Sequence, residues 1–301
     1  MIFLSVLRDV VLPVFIVVAF GYTADRLLHI DPKPISRISL YVLSPCLIFT
    51  SLFQSSIGSR DFALLVGFVL LQTFSLAALG LVLARLLSFG QQLKNVFLLS
   101  TLFVNAGNLG LPLNLFAFGE EGFNLAIVCF VTQAVLTNTM AVYFASRSNS
   151  NALSAIANVL RMPLLYAALL AIAVNLSGAT VPTYLLKPVK LAGDAAVPLM
   201  LLLLGLQLSR TSLAGQLGYV GLATAVRLLL APALAYGLSG TLVLAGLTRK
   251  VAILQASMPA GVMTGLLAVE FDARPDLVTG VIFTSTLLSL GTLTVLIGLL
   301  R

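Results

Sequence analysis

Charge is scarce in this chain. Only 9% of its 301 residues are Asp, Glu, Lys or Arg, against about 25% in an ordinary soluble domain. Ten residues are acidic and one is histidine. An intramembrane protease would need a Ser–His pair or two aspartates within an apolar segment. Here His29 stands at the end of a run, beside Asp31-Pro32, and no two acids share the middle of one. No catalytic residues are expected, and the chain does not read as an enzyme. The two cysteines, Cys46 and Cys129, both fall in apolar runs. They are too few for a zinc site, which takes three or four ligands, so no metal site is expected. No P-loop motif and no long polar segment occurs, which argues against a nucleotide-driven pump. The 17 Lys and Arg are scattered without a basic run, so nucleic acid is not an expected partner.

What the chain has is apolar length. Hydrophobic residues make up 59% of it, and about 20 consecutive apolar residues cross a bilayer core. Reading runs between charges and turn residues predicts ten transmembrane helices, at about 10–28, 36–55, 62–87, 93–118, 122–145, 158–177, 186–208, 217–240, 248–270 and 276–300. The first run continues to Leu28 with no small-residue cleavage site after it, unlike a signal peptide. The fold class expected is therefore an all-α polytopic membrane protein, with the lipid bilayer as its surroundings and the cell (inner) membrane as its place.

The one extended polar link runs from Ser146 to Asn158 and divides the helices five and five. Residues 1–147 form the expected first repeat, 148–157 a cytoplasmic linker and 158–301 the second repeat. A shift of 153 positions puts Pro45 on Pro198, Phe118 on Phe271 and Thr139 on Thr292; a shift of 150 puts Pro13 on Pro163 and Pro32 on Pro182. An odd number of helices per repeat requires the two to be inverted in the membrane, a frequent transporter design. In the first half Arg26, Lys33, Arg37, Arg85, Lys94, Arg147 and Arg161 fall on one side, against Arg8 and Arg60 on the other. That bias puts the linker in the cytoplasm and both termini outside, although the second half is less polarised.

Within the fourth run stands Asn105-Ala106-Gly107-Asn108-Leu109-Gly110-Leu111-Pro112. In a helix interior glycine costs about 1 kcal/mol and proline about 3. Freed backbone groups at membrane depth are tolerated only against protein or a water-filled cavity. Shifted by 153, the stretch lands on Met258-Pro259-Ala260-Gly261-Val262-Met263-Thr264-Gly265, where the ninth run is interrupted in the same way. Matched interruptions in two halves point to a transport site. If the two cross, four helix ends meet, with N–H groups suited to an anion. Neither interruption carries an acid, which favours an anionic ligand over a cationic one.

Other residues are weighed singly. Arg227 is the one charge near the middle of a predicted helix, where charge is costly and usually functional. It could balance the carbonyl ends of the broken helices, pair with a substrate anion, or pair structurally with Asp194. Asp194, Glu270 and Asp25 lie near helix ends and could carry a coupling proton or simply cap and join helices. Asn108, Thr132, Gln133, Gln255, Ser257 and Thr264 could supply oxygens to sodium only if they converge. No cofactor is expected, and coupling to sodium, to protons or to neither stays open. Asn138, Thr139, Thr284, Ser285 and Thr286 are expected to join helices by hydrogen bonds rather than to touch substrate.

Several stretches resemble the auxin efflux carrier family, which includes plant PIN transporters and bacterial carriers described for malate or malonate. They are Asn105 with Pro112, Gly119-Glu120-Glu121-Gly122, Val131-Thr132-Gln133, Ala256-Ser257-Met258-Pro259-Ala260-Gly261-Val262, and the run Phe271-Asp272-Ala273-Arg274-Pro275 to Phe283. The resemblance covers essentially the whole chain. It implies two inverted five-helix repeats of the bile-acid-symporter and NhaA type, with broken helices 4 and 9 crossing. It further implies a scaffold of helices 1, 2, 6 and 7, a transport domain of helices 3–5 and 8–10, homodimers through the scaffold, and elevator-type alternating access. By the same match Asn105 contacts a substrate carboxylate, Pro112 and Pro259 mark the breaks, and Gln133 faces the site; Asn108, Met258 and Gly261 complete the expected binding set. The long hydrophilic loop of the plant members is here the short Ser146–Asn158 linker. A small carboxylate or dicarboxylate is thus a better substrate expectation than auxin. The alternative on the same architecture is a sodium-coupled symporter of bile-acid-like amphipathic anions.

Overall fold

A computed structural model describes residues 2–145, 160–211 and 216–301; the linker and the repeat boundary at 147–158 lie outside the described residues. Among the described residues, seven helices are long and apolar enough to cross a membrane: α1 (Ile2–Leu28), α2 (Pro32–Gln54), α3 (Ser59–Leu86), α5 (Ala106–Ala145), α7 (Thr183–Ser209), α8 (Leu217–Thr241) and α11 (Pro275–Leu300). The described residues also form four shorter helices: α4 (Gln91–Leu102), α6 (Pro163–Ser177), α9 (Gly246–Ala256) and α10 (Val262–Glu270). No strand occurs among the described residues, and the outer surface carries exposed Phe20, Leu27, Leu86, Leu176 and Leu191. Backbone satisfied within helices and an apolar exterior are what a bilayer demands, and the architecture is that of a multi-pass membrane protein.

Helix boundaries differ from the sequence expectation for local reasons. The second helix begins at Pro32, not near 36, because the Asp31 side chain accepts the Lys33 N–H at 3.0 Å and Pro is favoured in a first turn. The expected gap between the fourth and fifth runs is a single residue: α5 turns sharply at Gly119 (φ 68°, ψ −166°), a conformation glycine adopts without steric cost. The fourth and ninth runs, read from the sequence as interrupted, are each two helices, with the stops at Leu102 and Ala256.

Among the described residues four helices widen locally into five π-type turns, two of them in α5, and after four of the five turns a proline follows two residues on. The turns Leu7–Val11, Ser39–Leu43, Ala106–Gly110 and Val226–Leu230 precede Pro13, Pro45, Pro112 and Pro232. Proline lacks the N–H for the carbonyl four residues back and crowds it. Widening lets the preceding residue reach one further, as Leu12 N–H does to Leu7 O.

The closest packing joins α1 to α7, with α2 against α6 and against the start of α7. Glycine permits the first contact: a Cβ on Gly205 would strike the Val18 carbonyl and the Tyr22 N, and one on Gly21 the backbone of Leu202. Small residues are what let membrane helices approach this closely. Asp25 of α1 ties the same pair at its end, accepting from Ser209 and from Arg210 (2.9 Å), while Arg210 also reaches Ile30 O at 2.7 Å. A second set of contacts runs among α3, α4, α5, α8, α9, α10 and α11.

Candidate functional site

The site is built where two helices stop and restart. α4 ends at Leu102, Phe103 is extended, Val104 makes a bridge and Asn105 turns the chain (φ −77°, ψ 59°) into α5. α9 ends at Ala256, and the chain passes through Ser257–Gly261 before α10. The two gaps lie side by side. Asn105 N–H donates to Pro259 O at 2.9 Å and Gly261 N–H to Phe103 O at 2.8 Å, an antiparallel bridge centred on Val104 and Ala260. Ser285 Oγ accepts the Ala260 N–H at 3.2 Å. Backbone groups freed by each interruption are thus satisfied largely by the other, which answers the demand that buried N–H and C=O groups find partners. Gly261 is required by contact: a Cβ there would lie 2.9 Å from the Val104 carbonyl oxygen.

On one side of this bridge is a cavity of about 400 Å³, within the usual range for small-molecule sites. The first turns of α5 (Ala106, Gly107, Asn108) and of α10 (Val262, Met263, Thr264) both line it. First-turn N–H groups have no partner within their helix, and each N-terminus carries about +0.5 charge. Asn105 lines the cavity while buried, and its Nδ2 has no hydrogen-bond partner. Gln133 from α5 does the same with an unpartnered Nε2. The opposite wall comes from α2, α6 and α7, including Tyr41, Ser44, Leu164, Met200 and Gln207. Among the described residues, Arg161, just before α6, is the one charged residue lining the cavity, and no acid does.

On the other side are the C-terminal ends. Arg227, in the π-type turn of α8, is 1% exposed. Its guanidinium donates to Thr101 O in the last turn of α4 (2.8 Å) and to Ala256 O, the last residue of α9. Beside it is a chamber of about 20 Å³ bordered by Gln72, Gln133 and Gln255. The break therefore sorts charge, with two helix N-termini on the cavity and two C-termini on one arginine.

The structure brings together Asn105, Asn108, Gln133 and Gly261 on the cavity, and Pro259 supplies the carbonyl that holds Asn105. Pro112 and Met258 lie elsewhere. Pro112 is buried in the first turn of regular helix after the π-type turn, so the first interruption falls at Phe103–Asn105, before it. Proline is tolerated in a first turn, and it marks where helix resumes. Met258 is fully buried among Val10, Leu109, Leu113 and Leu254. Arg227 does not meet Asp194, which stands at the surface with Lys190 at 3.2 Å. Glu270 is exposed at the end of α10, and neither acid lines the cavity.

The oxygens considered for sodium do not converge. Thr132, Ser257 and Thr264 bond carbonyls of their own helices or caps. Asn108 and Thr264 face the large cavity, Gln255 the small chamber, and Gln133 both. No cluster of three His, Cys, Asp or Glu occurs among the described residues. The polar groups expected to join helices mostly bond back within their own: Asn138 to Ala134 O and Thr139 to Val135 O. Ser285 alone of that set reaches another segment, at the bridge, and Asn138 lines the cavity after all. Sequence reasoning missed Arg161, Ser44, Tyr41 and Gln207. Arg161 entered only as a topology charge, and the others carry no signal until the fold brings α2 and α7 to the cavity.

A sequence model of the family described as membrane transport protein matches residues 7–160 and again 152–297. An uncharacterized transporter of Methanothermobacter thermautotrophicus is 30% identical over 288 residues, covering 94% of each chain. An uncharacterized transporter of Methanocaldococcus jannaschii is 28% identical over 292 residues, covering 94% of this chain and 95% of its own.

Proposed function

The chain belongs to the membrane transport protein family, the auxin efflux carriers, and on that premise we propose that it is a secondary carrier of small organic anions. The observation that carries this reading is the composition of the cavity wall. Among the described residues, two helix N-termini, the unpartnered amide of Asn105 and one arginine line it, with no acid opposite them. Oriented N–H groups stabilise a carboxylate, and an amide N–H donates to it without adding charge.

In this reading the ten-helix, inverted-repeat plan holds, with α4 and the first limb of α5 as one crossing helix and α9 with α10 as the other. Asn105 takes the carboxylate at the crossing, Asn108 and Gln133 orient it, and Gly261 lets the second gap close on the first. Arg161 draws the anion in or meets a second carboxylate, which favours small dicarboxylates. The scaffold is α1, α2, α6 and α7, and the remaining helices move against it. The cavity's position between these groups supports an elevator step, since sliding one group would carry the anion past the other. The protein is proposed to work as a homodimer in the cell membrane, with both termini on the extracytoplasmic side.

The test is a thermal-shift screen of carboxylates on purified protein, with and without sodium. A ligand of the folded state raises the melting temperature by mass action. Malate- or malonate-sized anions are expected to do so equally in both salts. Stabilisation by no carboxylate would end the reading, and stabilisation only by bile-acid-like anions with sodium would move it to a sodium-coupled symporter.

A further inference from the structure

The group that holds the two C-terminal ends together is a fixed cation in an unusual place. Arg227 is the largest of the fully buried side chains, and the hydrogen bonds recorded for it run to two carbonyls, with no acid among its partners. Those carbonyls end α4 and α9, helices of 12 and 11 residues. Each helix C-terminus carries about −0.5 charge, so the pair together balances one positive charge without an acid. Gln72 Oε1 is buried without a partner, as is Arg227 Nε, and Gln255 Oε1, which lies against Gly110, has none either. All three residues border the chamber of about 20 Å³, which has room for about one water.

We infer that Arg227 is a built-in monovalent cation filling an oxygen-lined cation site at the C-terminal ends of the two interrupted helices, and that removing its side chain uncovers that site to sodium, potassium or guanidinium. Carbonyl and amide oxygens replace the hydration shell of a small monovalent cation well. Truncation would leave Thr101 O and Ala256 O without their donor, on a chamber that Gln72 also borders. Two carbonyl oxygens, the unpartnered Gln72 Oε1 and the partial charge of two helix ends would then be left around one vacated volume. The inference goes beyond the anion reading and holds for any cargo, because it concerns what keeps the two breaks in place.

Stability of purified protein tests it, in sodium, potassium, choline and a few millimolar guanidinium chloride at equal ionic strength. Wild type should melt at the same temperature in all four. Arg227→Ala should melt lower in choline and recover with at least one of the three small cations, saturably with concentration. Arg227→Met, whose side chain occupies the vacated space, should be destabilised without recovery. If Arg227→Ala cannot be purified in choline, purification with guanidinium or sodium present throughout reads the same rescue. Rescue by no small cation, equal rescue of the Met variant, or a wild type stabilised by sodium over choline overturns the inference.

Discussion

The two interruptions occupy equivalent places in the two halves and do different work. The first, Phe103–Asn105, brings side-chain chemistry: an amide on the cavity and a π-type turn that opens α5 beside it. The second, Ser257–Gly261, brings backbone and space: the Pro259 carbonyl, the Gly261 N–H and the missing Cβ that lets the chains meet. Position 105 shifted by 153 is Met258, and the contrast is sharpest there. Asn105 lines the cavity, whereas Met258 is sealed in a core with Val10 and Leu113. The two breaks lie against each other, and in the proposed reading recognition falls to the first and support to the second.

The largest expected effect breaks that comparison from the supporting side. Met258→Ala should cost about 2–5 kcal/mol of stability, as for buried large-to-small changes, and leave anion affinity per folded molecule unchanged. Denaturation of purified protein and ligand titration measure the two separately. Gly261→Ala should cost about 1–3 kcal/mol as an overpacked contact, because its Cβ would press on backbone that cannot move aside. Gly107→Ala is the matching change at the first break. There a Cβ meets the Phe130 ring, and the ring can turn, so the melting temperature should fall less than for Gly261→Ala.

Asn105→Ala tests recognition. A hydrogen bond to a charged group is worth about 1.5–3 kcal/mol, so anion affinity should fall roughly 10- to 150-fold while the melting temperature without ligand barely changes. Unchanged affinity in a calorimetric titration would remove Asn105 from the site. The smallest effect should come from Arg161→Gln. Exposed charge pairs contribute about 0.2–1 kcal/mol, so affinity should drop only a few-fold. The loss should shrink further in high salt, where exposed charges are screened. A salt-independent loss would place Arg161 in direct, desolvated contact with the anion.

Both breaks were legible in sequence because they violate what a membrane helix requires. Glycine, proline and amides in an apolar run carry a cost that only a special environment offsets. Their exact extent was not legible. Proline looked like the point of rupture, yet Pro112 sits where helix resumes and Phe103, an ordinary apolar residue, sits where it stops. Apolar composition cannot report that a short segment leaves the helix when a second interrupted segment satisfies its backbone. Arg227 stood out for the same reason as the breaks, its charge being at odds with its surroundings. Its partners did not, because main-chain carbonyls leave no mark on the sequence.

Composition alone determined that this chain crosses a membrane many times and that it has little to do catalysis with. Spacing determined where two helices fail. Only the tertiary structure decided that the failures face each other, that N-termini gather on a cavity and C-termini on Arg227, and that Tyr41, Ser44, Arg161 and Gln207 join them. The division has a physical cause. Burying apolar length is a local property that each run satisfies by itself, whereas pairing freed backbone groups and balancing helix-end charge need partners on other helices, 126 residues away for Arg227 and Thr101 and 29 for Arg227 and Ala256.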